Sequence, residues 1–388
     1  MYISEEQKTL EKSDMDFKKK IKEAKEFINS TLASISDLQK LEYSEKLEKV
    51  KKSTYKSKRL KIDNGVLIKN SATCETVFIP FGVTEIGNEA SKNSRSVKII
   101  FPEGLKKIGV SAFEDATSVL YMDVKDADLC YPAEAVSLVG AGDEIDQFPR
   151  GFSQFPDTLE EIGDHAFRCI GKEAYSYNKK LMGYLIIPKT LQKIGKGAFT
   201  DYGIVSVYIA GPEKVSEACF SGSRRLKLVI FGDKVKTIDK LAFDACAAIE
   251  KVVFSKGLKE INDCAFAGCI SIKRITLPDT LGKIGNFAFC ECQSISSIVI
   301  PNSVTQIGER AFFKCSNLKK VKLGESITTI CAGCFADCIK LSKIEISNNV
   351  TVIAGDAFKN CKKVVICAPA GSYAEQYAKE NNIKFEAI

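Results

Sequence analysis

Fifteen cysteines and a single histidine set the chemistry open to this chain of 388 residues. A thiol-based reaction or a metal site would draw on Cys331-Ala-Gly-Cys334 followed by Cys338, a spacing shared with zinc sites and redox pairs. Tetrahedral zinc there needs a fourth ligand, Cys315 or Cys361 from an adjacent repeat. His165 stands alone, so chemistry resting on several imidazoles is excluded. The chain has no G-x-S-x-G elbow, phosphate loop, H-E-x-x-H or dinucleotide fingerprint, and Gly140-Ala-Gly142 lacks the following glycine and helix. The residue types therefore name no catalytic group, no metal ligand set and no cofactor, and point to a non-enzymatic protein. A cysteine-based metal or redox protein is the alternative they leave.

The elements that carry these cysteines account for most of them. Cys246, Cys269, Cys292, Cys315, Cys338 and Cys361 each follow a phenylalanine by three residues, and those phenylalanines, Phe243, Phe266, Phe289, Phe312, Phe335 and Phe358, recur every 23 residues. Phe113, Phe167, Phe199 and Phe220 continue the series with irregular gaps, and IPFGVTEIGNEAS supplies a degenerate eleventh block. Cys331 then replaces the Gly of an I-G pair and Cys334 the Ala of an A-F pair. His165 takes the variable place held by Arg310 in R-A-F, a surface position. The repeating thiols are read as small buried groups that donate to backbone. Parallel side-chain vectors hold neighbouring Cβ atoms too far apart for disulfides. Free thiols suit a reducing compartment or an anaerobic exterior.

Within a block, Ile295, Ile298 and Ile300, like Leu318, Val321 and Leu323 or Leu341, Ile344 and Ile346, give one short strand per turn. One unit cannot bury its apolar face alone. Stacking about eleven of them at about 4.8 Å per strand makes a parallel sheet about 50 Å long, with the phenylalanines piled in a ladder. The Gly of I-G, as at Gly285 and Gly308, is read as a turn position needing positive φ.

The segment from Ile300 to Val321, IPNSVTQIGERAFFKCSNLKKV, resembles the BspA-like family of leucine-rich repeats, as do the sister blocks across about residues 79 to 367. The end, GSYAEQYAKENNIKF, is similar to that family's terminal cap. The resemblance implies a right-handed leucine-rich-repeat solenoid and, for many relatives, attachment of a bacterial cell surface to host or extracellular proteins.

Three stretches stand outside the period. Residues 1–60 place Phe17, Ile21, Ala24, Ile28, Ile35 and Leu38 at helical spacing, with Ser36 and Gln39 as a capping box. They predict an N-terminal α-helical segment that caps the first coil or oligomerises the chain as an assembly scaffold. Asp63-Asn64-Gly65 between apolar runs predicts a hairpin that opens the solenoid over 61–367. The spacings of Phe113, Phe167 and Phe199 imply insertions near 124–154 and 171–184, the first one acidic. Calcium is not favoured, because neither stretch has the D-x-[DN]-x-[DN]-G loop. Residues 368–388 form a C-terminal cap, with Ser372 and Glu375 capping a short helix and Ile383-Lys384-Phe385 covering the last coil.

The surface of such a stack is set by strand positions that point away from the ladders. One column runs Ser206, Leu228, Lys251, Arg274, Ser297, Lys320, Lys343. The next runs Tyr208, Ile230, Val253, Thr276, Val299, Lys322, Glu345. A basic row beside the apolar stripe Tyr208, Ile230, Val253 and Val299 predicts a protein-binding face. The net charge of +7 is modest for this length, and residues 1 to 63 carry 16 basic against 12 acidic side chains. No specific nucleic-acid recognition is expected, although the basic column leaves polyanion binding open. No apolar run reaches the length of a membrane span, and the opening residues have no apolar export core. The text alone thus favours the cytoplasm, and the resemblance favours the cell surface.

Overall fold

Each 23-residue block closes one coil, and in the computed structural model successive coils pair through parallel backbone. The structure describes residues 59–388 apart from 73–75, 95–97, 103, 117–118, 121–151 and 171–182. These lie in one unit, Lys58–Val124 with Pro149–Ile388. The expected N-terminal helices fall outside the described residues, as do most of the 124–154 and 171–184 segments. Phe152–Gln154 and Tyr184–Ile187, at the ends of those segments, are strands that pair with each other.

Most coils contribute two strands, not the one that the L-x-x-I-x-L pattern predicts. Besides the longer strand there is a second of two residues, Glu85–Ile86 in the first coil and Val352–Ile353 in the last, eleven in all. Its Ile or Val is buried in every coil, from Ile86 at 0 % exposure to Ile353 at 5 %. The extended backbone is therefore fixed by an inward side chain and, within three runs that break after Ile194 and after Ile307, by pairing to the equivalent residue of the adjacent coil.

The ten phenylalanines from Phe113 to Phe358 form one unbroken column. Consecutive ring centroids are 5.1–5.8 Å apart and the ring planes are within 2–8° of parallel. Phe113 and Phe167 stack directly at 5.2 Å although 54 residues separate them, so no coil stands between them. Phe167 and Phe199 do the same at 5.1 Å. The degenerate first block places Ser91 in the anchor position, where it is buried and its hydroxyl has no partner among the described residues.

Close stacking depends on two backbone devices. The residue two before each Phe from Phe113 to Phe335 has positive φ, from 51° at Ser111 to 60° at Gly197, and only Asp356, before Phe358, does not. Only Gly197 and Gly333 at this place are glycines; Leu241, Phe287 and Arg310 accept the same conformation. Their N–H groups donate to the next coil, as from Phe287 to Glu309 O at 2.9 Å and from Arg310 to Ala332 O at 2.9 Å. Gly285 and Gly308, expected to need positive φ, do not have it. They are glycines because the coils touch there. A Cβ on Gly308 would lie 2.4 Å from Asn286 N and 2.6 Å from Gly285 C, and one on Gly285 would lie 2.6 Å from Asn262 C.

Both ends are closed locally. Leu60–Asp63 pairs antiparallel with Val66–Asn70 across Asn64 (φ 47°) and Gly65 (φ 77°), the left-handed pair of a type I′ turn. At the other end the helix Tyr373–Glu380 follows Ser372, whose hydroxyl accepts from Glu375 N at 3.3 Å. The Glu375 carboxylate accepts from Gly371 N at 2.7 Å, one residue before the position a standard capping box uses. Tyr377 stands edge-on to Phe358 at 6.2 Å and ends the aromatic column. Lys384–Ala387 then pairs with Val365–Ala368 and covers the last coil.

Candidate functional site

The two outward columns exist as registers of the sheet. Tyr208 pairs with Ile230 and Ile230 with Val253, while Leu228 pairs with Lys251. Farther along, Ser297, Lys320 and Lys343 are in register, as are Val299, Lys322 and Glu345.

Their exposure divides the columns. Tyr208 and Ile230, expected on the open stripe, are buried at 4 % and 0 % exposure, and every residue of Ser206–Ile209 and Leu228–Phe231 is buried. Strands that are apolar on both faces, as LVIF is, occur where both faces are covered, so these two residues leave the candidate face. Lys251 and Val253 are half-buried. From Ser297 onward the strands read SIV, KVK and KIE, alternating as a sheet with one open face does. Val299 is 62 % exposed, and Arg274, Thr276, Ser297, Lys320 and Lys322 are exposed around it.

Charge compensation on this open part is uneven. Glu345 approaches Lys343 at 3.5 Å and Lys322 at 4.0 Å. Arg274 and Lys320 pair with no carboxylate among the described residues. The strand expected at Ile272, Ile275 and Leu277 is missing as well. The paired array stops at Lys251–Val253 and resumes at Ser297–Val299, and no backbone hydrogen bond joins Lys273–Leu277 to either neighbouring coil. The same coil stays bonded on its other side, where Glu260–Ile261 pairs with Lys283–Ile284. Cations, hydroxyls, an exposed apolar side chain and unpaired backbone are the means of non-covalent recognition.

The described cysteines lie elsewhere, and the ladder thiols are structural. Each ladder thiol reaches the carbonyl of the phenylalanine 26 residues earlier, from Cys246 to Phe220 O at 3.1 Å through Cys361 to Phe335 O at 3.0 Å. Burial drives their thiols well above the ordinary range, Cys361 to about 11. Cys334 is buried in the place of the usual Ala, Cys331 is half-buried, and the Cys338 thiol bonds Phe312 O. No group of three or more potential ligands is close enough to hold a metal among the described residues. Among the described cysteines, native alkylation with iodoacetamide at about pH 8 is therefore expected to reach Cys331 and Cys264 first and to spare the six ladder thiols, since only thiolate reacts. Peptide mass spectrometry gives the order, and modification of Cys292 before Cys331 would contradict the assignment.

His165 is half-buried and not surface filling. Its Nδ1 is buried without a partner, and a Cβ on Gly197 would stand 2.6 Å from that atom, so the ring packs over a glycine of the next coil. The buried Glu114 is likewise architectural. Burial alone would raise its pKa, but hydrogen bonds from Ser111, Lys92 and Arg168 outweigh it and hold the carboxyl below the usual range. It joins Arg168 across the 54-residue gap and Lys92 at 3.1 Å.

Stacked coils with an internal aromatic ladder and parallel strands on the outer face define a leucine-rich-repeat solenoid. Six copies of the BspA type leucine rich repeat region match residues 61–127, 152–257 and 236–365, and the chain belongs to that family. A leucine-rich repeat protein from Bacteroides ovatus is similar over 81 % of this chain and 83 % of its own, with 22 % identity and a TM-score of 0.56, which supports the fold. The T. pallidum leucine rich repeat protein is 27 % identical over 47 % of this chain and 85 % of its own, with a TM-score of 0.40. A leucine rich cell surface protein from Faecalibacterium prausnitzii is 18 % identical over 84 % and 92 %, at 0.34. No curated protein sequence matches the chain. No helix among the described residues is long and apolar enough to cross a membrane.

Proposed function

We propose that this chain is a non-enzymatic, protein-binding repeat module that works at a cell surface, as an adhesin does, and engages its partner through the open sheet face from Arg274 to Lys343. The observation that carries the reading is Val299, exposed at 62 % on a strand whose other face is core, with two cations in the adjoining column that pair with no carboxylate among the described residues. Beside those cations, the Val299 side chain gives a partner apolar contact area and charge on one face. Family membership supports the surface role. The ladder thiols do not oppose it, because buried, hydrogen-bonded thiols with raised pKa values stay reduced outside a reducing compartment too.

The test is capture of host extracellular proteins by the full chain and by a variant carrying Arg274→Glu, Lys320→Glu and Lys343→Glu. A partner held by the native chain and lost by the variant supports the face. Equal capture by both removes it.

A further inference from the structure

The open face is asymmetric in charge and in backbone pairing, and the two asymmetries coincide. Cations at its far end are matched, since Glu345 lies within reach of both Lys322 and Lys343. The unmatched ones, Arg274 and Lys320, flank the Ser297–Val299 strand, one on each side in the coil order. Arg274 also belongs to Lys273–Leu277, the stretch of this face whose backbone has no hydrogen-bonded neighbour. Exposed Val299 lies in the coil between the two cations.

We infer that this patch docks an extended acidic segment of a protein partner, laid across the strands with two carboxylates on Arg274 and Lys320 and an apolar side chain over Val299. The inference deepens the protein-binding reading above and rests on it. Arg274 and Lys320 stand two coils apart, about 10 Å at ordinary strand spacing. A segment in polyproline II conformation repeats its side-chain direction every three residues, about 9 Å, so carboxylates at i and i+3 fit both cations at once. A sulfated or phosphorylated polymer fits less well. It gains nothing from Val299 and meets the carboxylate of Glu345 at the end of the row.

The test is fluorescence polarisation on the full chain with a labelled peptide repeating Glu-Leu-Pro, with the Lys-Leu-Pro repeat and heparin as competitors. The acidic peptide is expected to bind and to weaken with added salt. Affinity should fall about tenfold or more in Arg274→Glu/Lys320→Glu and in Val299→Asp, and should be unchanged in Lys340→Glu, an exposed lysine elsewhere that bonds Asn317. Circular dichroism of each variant establishes that the fold is intact. Peptide binding that ignores Arg274→Glu/Lys320→Glu overturns the inference. So does heparin binding that depends on the cations while Val299→Asp has no effect, which assigns the patch to a polyanion. If no acidic peptide binds while cation-dependent capture of a protein partner persists, the acidic-segment chemistry is wrong and the protein-binding reading stands. If neither occurs, both fail.

Discussion

Replacing Phe289 with alanine should cost about 3–5 kcal/mol of stability, the usual range for emptying a ring-sized site in a close-packed interior. The ring is fully buried and stands 5.5 Å from both Phe266 and Phe312, so the truncation removes facing contacts on two sides at once. Neighbouring coils are held at a spacing set by their own backbone bonds, such as Phe266 N to Ala288 O and Phe289 N to Ala311 O, which limits collapse into the gap. Phe313, the next residue, is half-buried beside Lys314 at the surface. Phe313→Ala should cost about 1 kcal/mol or less. Denaturant unfolding measures both, and native-state hydrogen exchange locates the loss, because an array of coils need not unfold in one step. A cost for Phe289→Ala near that of Phe313→Ala would mean that the column is not close-packed.

The second large effect is expected at a glycine. Gly308→Ala places a methyl group 2.4 Å from a backbone nitrogen of the preceding coil, and relief requires the coils to part. Overpacking of this kind costs about 1–3 kcal/mol. Gly355, with ordinary φ and nothing within 4 Å of a built Cβ, is the control. Gly355→Ala should be neutral or stabilising by up to about 1 kcal/mol, because alanine narrows the unfolded ensemble. Thermal unfolding of the two variants separates close approach from backbone freedom. Equal and small effects would contradict the inter-coil clash at Gly308.

Which parts of this architecture were legible in the text follows from the range of the interactions. The phenylalanine column, the thiol ladder, the Asn64-Gly65 turn and the Ser372 cap are each set by residues at fixed short offsets, so spacing alone revealed them. The second strand of each coil was hidden, because a pair such as Lys283–Ile284 is too short to show alternation. Gly308 was misread because a glycine looks the same whether it serves a left-handed turn or a close approach, and only the neighbouring coil distinguishes the two. The buried half of the outward columns had a signal that went unused. Leu228–Phe231 is apolar at all four positions, whereas Lys320–Lys322 alternates. The unpaired backbone at Lys273–Leu277 had none, since Ile272, Ile275 and Leu277 repeat the pattern of coils that do pair.

The claim on which all of this depends is that a single column runs through the irregular spacings, so that every coil inherits its faces from one register. The most direct test is a double-mutant cycle between Phe113 and Phe167, which lie 54 residues apart in the chain with rings 5.2 Å apart and planes within 4°. Phe113→Ala and Phe167→Ala, singly and together, should reveal a coupling energy of about 0.5–1.5 kcal/mol, as stacked aromatic pairs do. Losses that add to within about 0.3 kcal/mol would show that the two rings do not meet and would contradict the continuous column.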